Sequence, residues 1–177
     1  MSSETFVSAM LLITGVVAAA ILIVAVLPVI WGMVGTFSSA SAATDKSMRT
    51  DFKIVLTYAK SYPPTSAGAL VTVWMKNVGT SRIGTTEISS GDVYLGLSTD
   101  FKRATLKNPT WAAVVKSTTT DWNYSIRDSN ANNIWEPGET LEVNGYAPTS
   151  TQPTNQLIYF QLTLPSGVSR SAEFTAV

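Results

Sequence analysis

The chain has 177 residues and contains neither cysteine nor histidine. Without cysteine there is no disulfide, thiol nucleophile or thiolate metal site. Without histidine, the side chain best suited to proton transfer near neutral pH is missing too. Catalysis would have to rest on carboxylates, hydroxyls, Tyr or Lys, yet the scattered acids Asp92, Asp121 and Glu142 have no matched partner in the sequence. A glycosidase-type carboxylate pair is set aside on that ground, and the chain is expected to be no enzyme and to require no cofactor. Excess charge of one sign is also lacking, because Lys plus Arg and Asp plus Glu each number 12. No basic surplus is available to attract phosphates, so nucleic-acid binding is not expected. Charged residues make up 14% of the chain, against about 25% in typical soluble domains. That scarcity suits a hydroxyl-rich extracellular surface joined to an apolar segment.

The largest gap in charge runs from Glu4 to Asp45, and within it residues 6–37 (FVSAMLLITGVVAAAILIVAVLPVIWGMVGTF) are almost wholly apolar. As a helix this run is about 48 Å long at ~1.5 Å per residue, and the bilayer hydrocarbon needs only ~30 Å. Residues 1–37 are therefore expected to form a transmembrane or filament-core helix. A signal peptide would have a basic start and a core of only ~7–15 apolar residues. The small residues Gly15, Ala18, Ala19, Ala20 and Ala25 let helices approach closely in lipid or in a bundle, although such residues are common in any transmembrane helix. Pro28 removes one backbone hydrogen bond, so a kink or break is expected over residues 24–28. Residues 38–50 turn small and polar, then charged, and read as a linker.

From residue 51 the pattern alternates with period two. Phe52, Ile54, Leu56 and Tyr58 are assigned to one face, and Val71, Val73 and Met75 repeat the device. So do Val93 to Leu97, Trp122 to Ile126, Leu141 with Val143, Ile158 to Leu164, and Val168 to Phe174. Turn-forming clusters of Pro, Gly, Asn and Ser separate these runs. Seven to nine short strands and no helix are expected over residues 51–177, in an immunoglobulin-like β-sandwich.

The sharpest local motif in that region is DSNANNIWEPGE, residues 128–139. Asp128, Asn130, Asn132, the Ile134 carbonyl, Glu136 and Glu139 fall at positions 1, 3, 5, 7, 9 and 12, the ligand spacing of a calcium loop. Asn133 takes the place of the usual glycine, and Asn readily adopts positive φ. The alternative is a polar turn whose Asn and Asp side chains cap their own backbone while Trp135 packs on the sandwich. Asn123, Tyr124 and Ser125 form an N-glycosylation sequon, which makes Asn123 a candidate glycan site on an exported surface. Trp74, Trp111, Trp122, Tyr124 and Tyr159 read as core or subunit contacts rather than a sugar platform.

Three segments carry a family likeness: SSETFVSAMLLITGVVAAAILI, SMRTDFKIVL, and VTVWMKNVGTSRI, the last with its strand ending at Asn77 and Gly79. They cover about a third of the chain. In their order the sequence resembles the archaeal flagellar (archaellum) accessory proteins F and G, which are pilin-like, and it is similar in plan to archaellins and archaeal pilins. The resemblance implies a membrane or filament-core helix and an immunoglobulin-like sandwich outside the membrane. It also implies a structural role, either as an anchor or stator linking the rotary motor to the surface layer or as a filament subunit. The implied partners are further copies of itself in a helical homo-oligomer, other archaellum or pilus subunits, the membrane during assembly, and surface-layer protein. No basic pilin-type leader precedes Met1, so the chain is read as uncleaved or already mature. Glu4 resembles the pilin glutamate that pairs with an α-amino group, and with Gly15, Ala18, Ala19, Ala25 and Pro28 it makes up the expected assembly set. The rival expectation is a membrane-anchored adhesin that contacts the surface layer without polymerising.

Overall fold

The computed structural model describes residues 3–62, 68–107, 119–127, 130–149 and 152–177. Two compact units divide the chain between Thr44 and Asp45.

The first unit is helical. Helix α1 runs from Ser3 to Arg49, about 70 Å at ~1.5 Å per residue. It extends twelve residues past the end expected at Phe37, so the segment read as a linker is almost entirely helix. The reason is local. Ala40, Ala42 and Ala43 are strong helix formers, and the hydroxyls among them bond back to the helix, Ser39 to the Thr36 carbonyl at 2.9 Å and Thr44 to the Ala40 carbonyl at 2.9 Å. Asp45 and Arg49 add an i,i+4 ion pair at 3.0 Å. Pro28 lies inside α1 without breaking it.

The second unit is a β-sandwich of eleven strands among the described residues. In chain order these are β1 (Phe52–Ser61), β2 (Gly68–Asn77), β3 (Ile83–Gly84), β4 (Asp92–Leu97), β5 (Asp100–Arg103), β6 (Thr105–Leu106), β7 (Asp121–Arg127), β8 (Ile134–Trp135), β9 (Thr140–Pro148), β10 (Leu157–Thr163) and β11 (Ser169–Thr175). One sheet has the order β1-β2-β9-β7-β6, the other β11-β10-β4-β5, and β3 pairs with β8. Every strand expected from alternation is present. The additional ones, β3, β5, β6 and β8, have two to four residues and are too short to show a period. A five-residue helix α2, Thr85–Ser89, corrects the expectation that this region holds none.

The two inner faces meet in one core. Val71, Val73, Met75, Trp122, Leu141 and Val143 come from the first sheet, and Val93, Leu95, Ile158, Phe160 and Leu162 from the second, each essentially inaccessible. Full burial of each such side chain contributes roughly 1.5–3 kcal/mol. One face assignment from the sequence fails. A bulge between Ile54 and Leu56 shifts the register of β1, and a shift of one residue turns every later side chain to the other face. Thr57 and Ala59 therefore point inward opposite Val73 and Val71, while Leu56 and Tyr58 are exposed.

Candidate assembly interface

Helix α1 has no buried residue among those described. Leu12, Val24, Trp31 and Phe37 each leave about 70% or more of their surface open. A helix that is apolar all round belongs in lipid or inside a bundle, and α1 is long and apolar enough to cross a membrane. Two hydroxyls of its apolar run do not require water. Thr14 donates to the Met10 carbonyl at 2.8 Å and Thr36 to the Gly32 carbonyl at 2.6 Å, which satisfies their hydroxyls within the helix. Glu4 lies in the first turn, and Lys46 and Arg49 in the last. Each complements the helix dipole at its own end.

The expected assembly residues all lie on this one exposed helix. At 100° per residue, Gly15, Ala18, Ala19 and Ala25 fall within a sector of about 120°, whereas Pro28 lies to one side of it. The helix shows a regularity that clustering alone did not reveal: Ala18, Ala25, Gly32 and Ser39 recur every seven residues. Such a row drifts only about 20° per step along a straight helix and forms a continuous seam for a slowly supercoiling neighbour. A Cβ at Gly15, Gly32 or Gly35 would meet nothing within 4 Å. The chain's own packing therefore does not require these glycines.

The last turn of α1 belongs to the sandwich unit and is held by the Asn77–Gly79 loop. Val78 and Gly79 donate backbone N–H bonds to the Asp51 carbonyl at 3.0 and 2.9 Å, and Thr80 and Ser81 donate to the Arg49 carbonyl at 2.9 and 3.1 Å. These bonds satisfy the helix terminus. Asn77, 1% exposed, organises the loop. Its side-chain amide donates to the Ser81 and Trp135 carbonyls and its Oδ1 accepts the Gly79 N–H. Its backbone N–H and carbonyl bond Glu139 and Gly138. A Cβ at Gly79 would run into the Arg49 carbonyl oxygen and the Asp51 amide, so glycine is required there by close approach. The N-x-G motif was visible in sequence, but its role as a helix cap was not, because the two partners are far apart along the chain.

Residues 130–139 form a self-bonded turn. Asn132 N–H donates to Asn130 Oδ1 at 3.2 Å, Ile134 N–H to Asn132 Oδ1 at 2.8 Å, and Glu136 N–H to Glu139 Oε2 at 2.9 Å. Glu136 also accepts from Asn130 and pairs with Arg82 at 3.1 Å. Asn133 has φ +58°, as its position demands. Oδ1 of Asn130 and Asn132, the Glu136 carboxylate and Oε2 of Glu139 thus take part in capping or ion pairing, and Asp128, the first of the six candidate ligands, lies outside the described residues, as does Trp111. Trp135 is fully buried, 5.6 Å from the Phe52 ring, with its indole N–H on the Glu139 carbonyl.

Asn123 sits in mid-strand β7, half-buried and opposite Asn144. On the outer face of the same sheet, Glu142 lies beside Trp74 and receives Arg127 at 2.6 Å and Asn144 at 3.1 Å. Burial acts to raise the Glu142 carboxyl. The hydrogen bonds from Asn144 and Arg127, the Arg127 charge and the Trp74 indole outweigh it and hold the group below its ordinary value.

A long exposed apolar helix followed by an immunoglobulin-like sandwich defines a pilin-like structural protein. The sequence matches the archaeal-type flagellin family over residues 3–174, and the chain belongs to that family as a structural component of the archaellum. The archaeal flagellum of Methanospirillum hungatei strain JF1 superposes with a TM-score of 0.67, covering 99% of this chain and 94% of that one at 17% identity. The archaellum periplasmic stator protein FlaG from Sulfolobus acidocaldarius gives a TM-score of 0.47 over 71% of this chain and 99% of that one, at 24% identity. An uncharacterised protein of Archaeoglobus fulgidus is 24% identical over 143 residues, covering 81% of this chain and 80% of that one.

Proposed function

We propose that this chain is a non-enzymatic filament subunit that enters the cytoplasmic membrane through α1 and then packs α1 against the helices of further copies, displaying the sandwich at the cell surface. The observation that carries this reading is the helix itself: 47 residues with no buried side chain and a small-residue seam. A lone anchor would need only ~20 apolar residues and no seam. The family match spans both helix and sandwich, as expected if the two act in one assembly. In a packed core Glu4 needs a positive partner, because an unpaired charge in hydrocarbon costs roughly 2.5–3.5 kcal/mol on insertion scales. A cationic group of a neighbouring subunit would supply one.

The test is electron microscopy of sheared cell surfaces and of the purified chain. Helical filaments are expected, and Glu4→Ala should reduce their yield while leaving the sandwich folded. Membrane-bound protein without filaments would instead identify an anchor or a surface-layer-binding module.

A further inference from the structure

The outer faces of the two sheets carry apolar patches of unlike charge. On β1 the bulge leaves Val55, Leu56 and Tyr58 exposed by 63%, 57% and 45%, and Trp74 of β2 stands opposite Leu56. Lysines bound this patch: Lys53 and Lys76 face each other at one end, and Lys60 closes the other. Seven other cations pair with carboxylates, whereas these three have no carboxylate partner among the described residues. On the second sheet, Phe101 of β5 packs on Tyr159 of β10 with 4.5 Å between ring centroids. Leu157 lies two residues before Tyr159 on the same outer face, and Phe101 and Leu157 are 45% and 44% exposed. Glu173 of β11, opposite Tyr159, accepts from the Ser98 hydroxyl at 2.8 Å and has no cation partner among the described residues. Asp92 and Asp100 on the neighbouring strands are matched by Arg103 and Lys102.

This distribution decides how two copies can meet. The β1 face against itself sets three unpaired ammonium groups against three more, and the β10 face against itself sets carboxylate against carboxylate. Only the unlike pairing covers both apolar patches and brings lysines to a carboxylate. The two faces lie on opposite sides of the sandwich, so a copy that uses one still presents the other, and such a contact propagates instead of closing as a pair. Each patch is on the order of a few hundred Å², short of the ~1,200 Å² in total that a stable free-standing interface buries. The contact therefore belongs to copies already gathered by α1.

We propose that the sandwiches of successive copies meet head to tail, the Val55, Leu56, Tyr58 and Trp74 patch of one on the Phe101, Tyr159 and Leu157 patch of the next, with Glu173 received among Lys53, Lys60 and Lys76. This rests on the filament reading above and names the second face by which the copies hold one another.

The experiment uses the absence of cysteine from the chain. Filaments of the full chain carrying Leu56→Cys and Phe101→Cys together are treated with a short bis-maleimide, then dissolved in denaturant and sized. Both positions are exposed, and electron microscopy before treatment checks that the filaments match those of the parent. A series of covalent multimers is expected from the double variant and monomer from either single variant. Val55→Cys with Leu157→Cys is the second pair and should behave alike. Glu173→Lys sets a further cation against the lysine-bounded face and should lower the multimer yield several-fold. Dimers from a single variant would establish a self-paired face and overturn the proposal. So would parental filaments that neither pair cross-links, or a yield that Glu173→Lys leaves unaltered, and both results would leave the packing of α1 standing. A parent chain that forms no filaments would instead refute the filament reading and this contact with it.

Discussion

Ala25→Phe tests the helix seam directly. Ala25 lies between Ala18 and Gly32 on the seven-residue row and is exposed, so a larger side chain displaces nothing within the chain itself. In lipid the added apolar surface is tolerated, and membrane insertion should be unchanged. In a filament the seam is filled by a neighbouring helix, and forcing extra carbons into a packed interface costs about 1–3 kcal/mol per contact. With a factor of ten for every ~1.4 kcal/mol, the critical concentration for assembly should rise roughly 5- to 150-fold. Leu27→Phe is the matched control. Leu27 lies about 200° round the helix from Ala25, on the face of large side chains, and Leu→Phe adds about half as many carbons as Ala→Phe, so it should cost less. Sedimentation of filaments across a dilution series measures both values. Equal critical concentrations for the two variants, or an Ala25→Phe chain that assembles like the parent, would show that the row is not a seam.

Gly79→Ala drives a methyl group into the Arg49 carbonyl and the Asp51 amide; it should cost the sandwich about 1–3 kcal/mol, and calorimetry should find the melting temperature roughly 5–10 °C lower. Glu142 has a folded-state pKa below its ordinary 4.5, so its stabilisation is complete above pH 4.5 and is lost as the pH falls through the lower folded value. Acid melting curves should therefore fall more steeply for the parent than for Glu142→Gln, and parallel curves would remove Glu142 from the pH response. Oδ1 of Asn130 and Asn132, the Glu136 carboxylate and Oε2 of Glu139 already meet N–H donors or Arg82, so chelator and millimolar calcium should give the same melting curve; a calcium-dependent rise abolished by Glu136→Gln would establish a cation site instead.

The sequence made legible whatever depends on one segment at a time. Seven strands could be read because the buried ones alternate along their whole length. The same rule failed on β1, where alternation without a bulge continues Phe52 and Ile54 into Leu56 and Tyr58. Only the pairing with β2 shows where the extra residue is inserted. The two-residue strands β3 and β8 exist only as partners of each other, so neither had a local signal. Helix α1 was recognised from hydropathy but ended too early. Hydropathy marks where lipid or a packed core ends, whereas helix continuity through Ser39 and Thr44 depends on alanine content and on hydroxyls bonding back to their own helix.

The assembly set divides along the same line. Absence of charge, small side chains and a long apolar run are properties of α1 alone and could be read directly, yet the requirement at Gly79 comes from a helix end 30 residues earlier in the chain. Asn77 was legible as a turn former and not as a buried hub, since its four polar groups reach Gly79, Ser81, Trp135, Gly138 and Glu139. These contacts give the motif a mechanical meaning for a filament protein. In the proposed filament, load on α1 would reach the sandwich through the last turn, because the backbone bonds from residues 78–81 to Arg49 and Asp51 tie that turn to the end of β2. A loop closed by a fully satisfied buried asparagine can bear such load without a disulfide, which this cysteine-free chain cannot form.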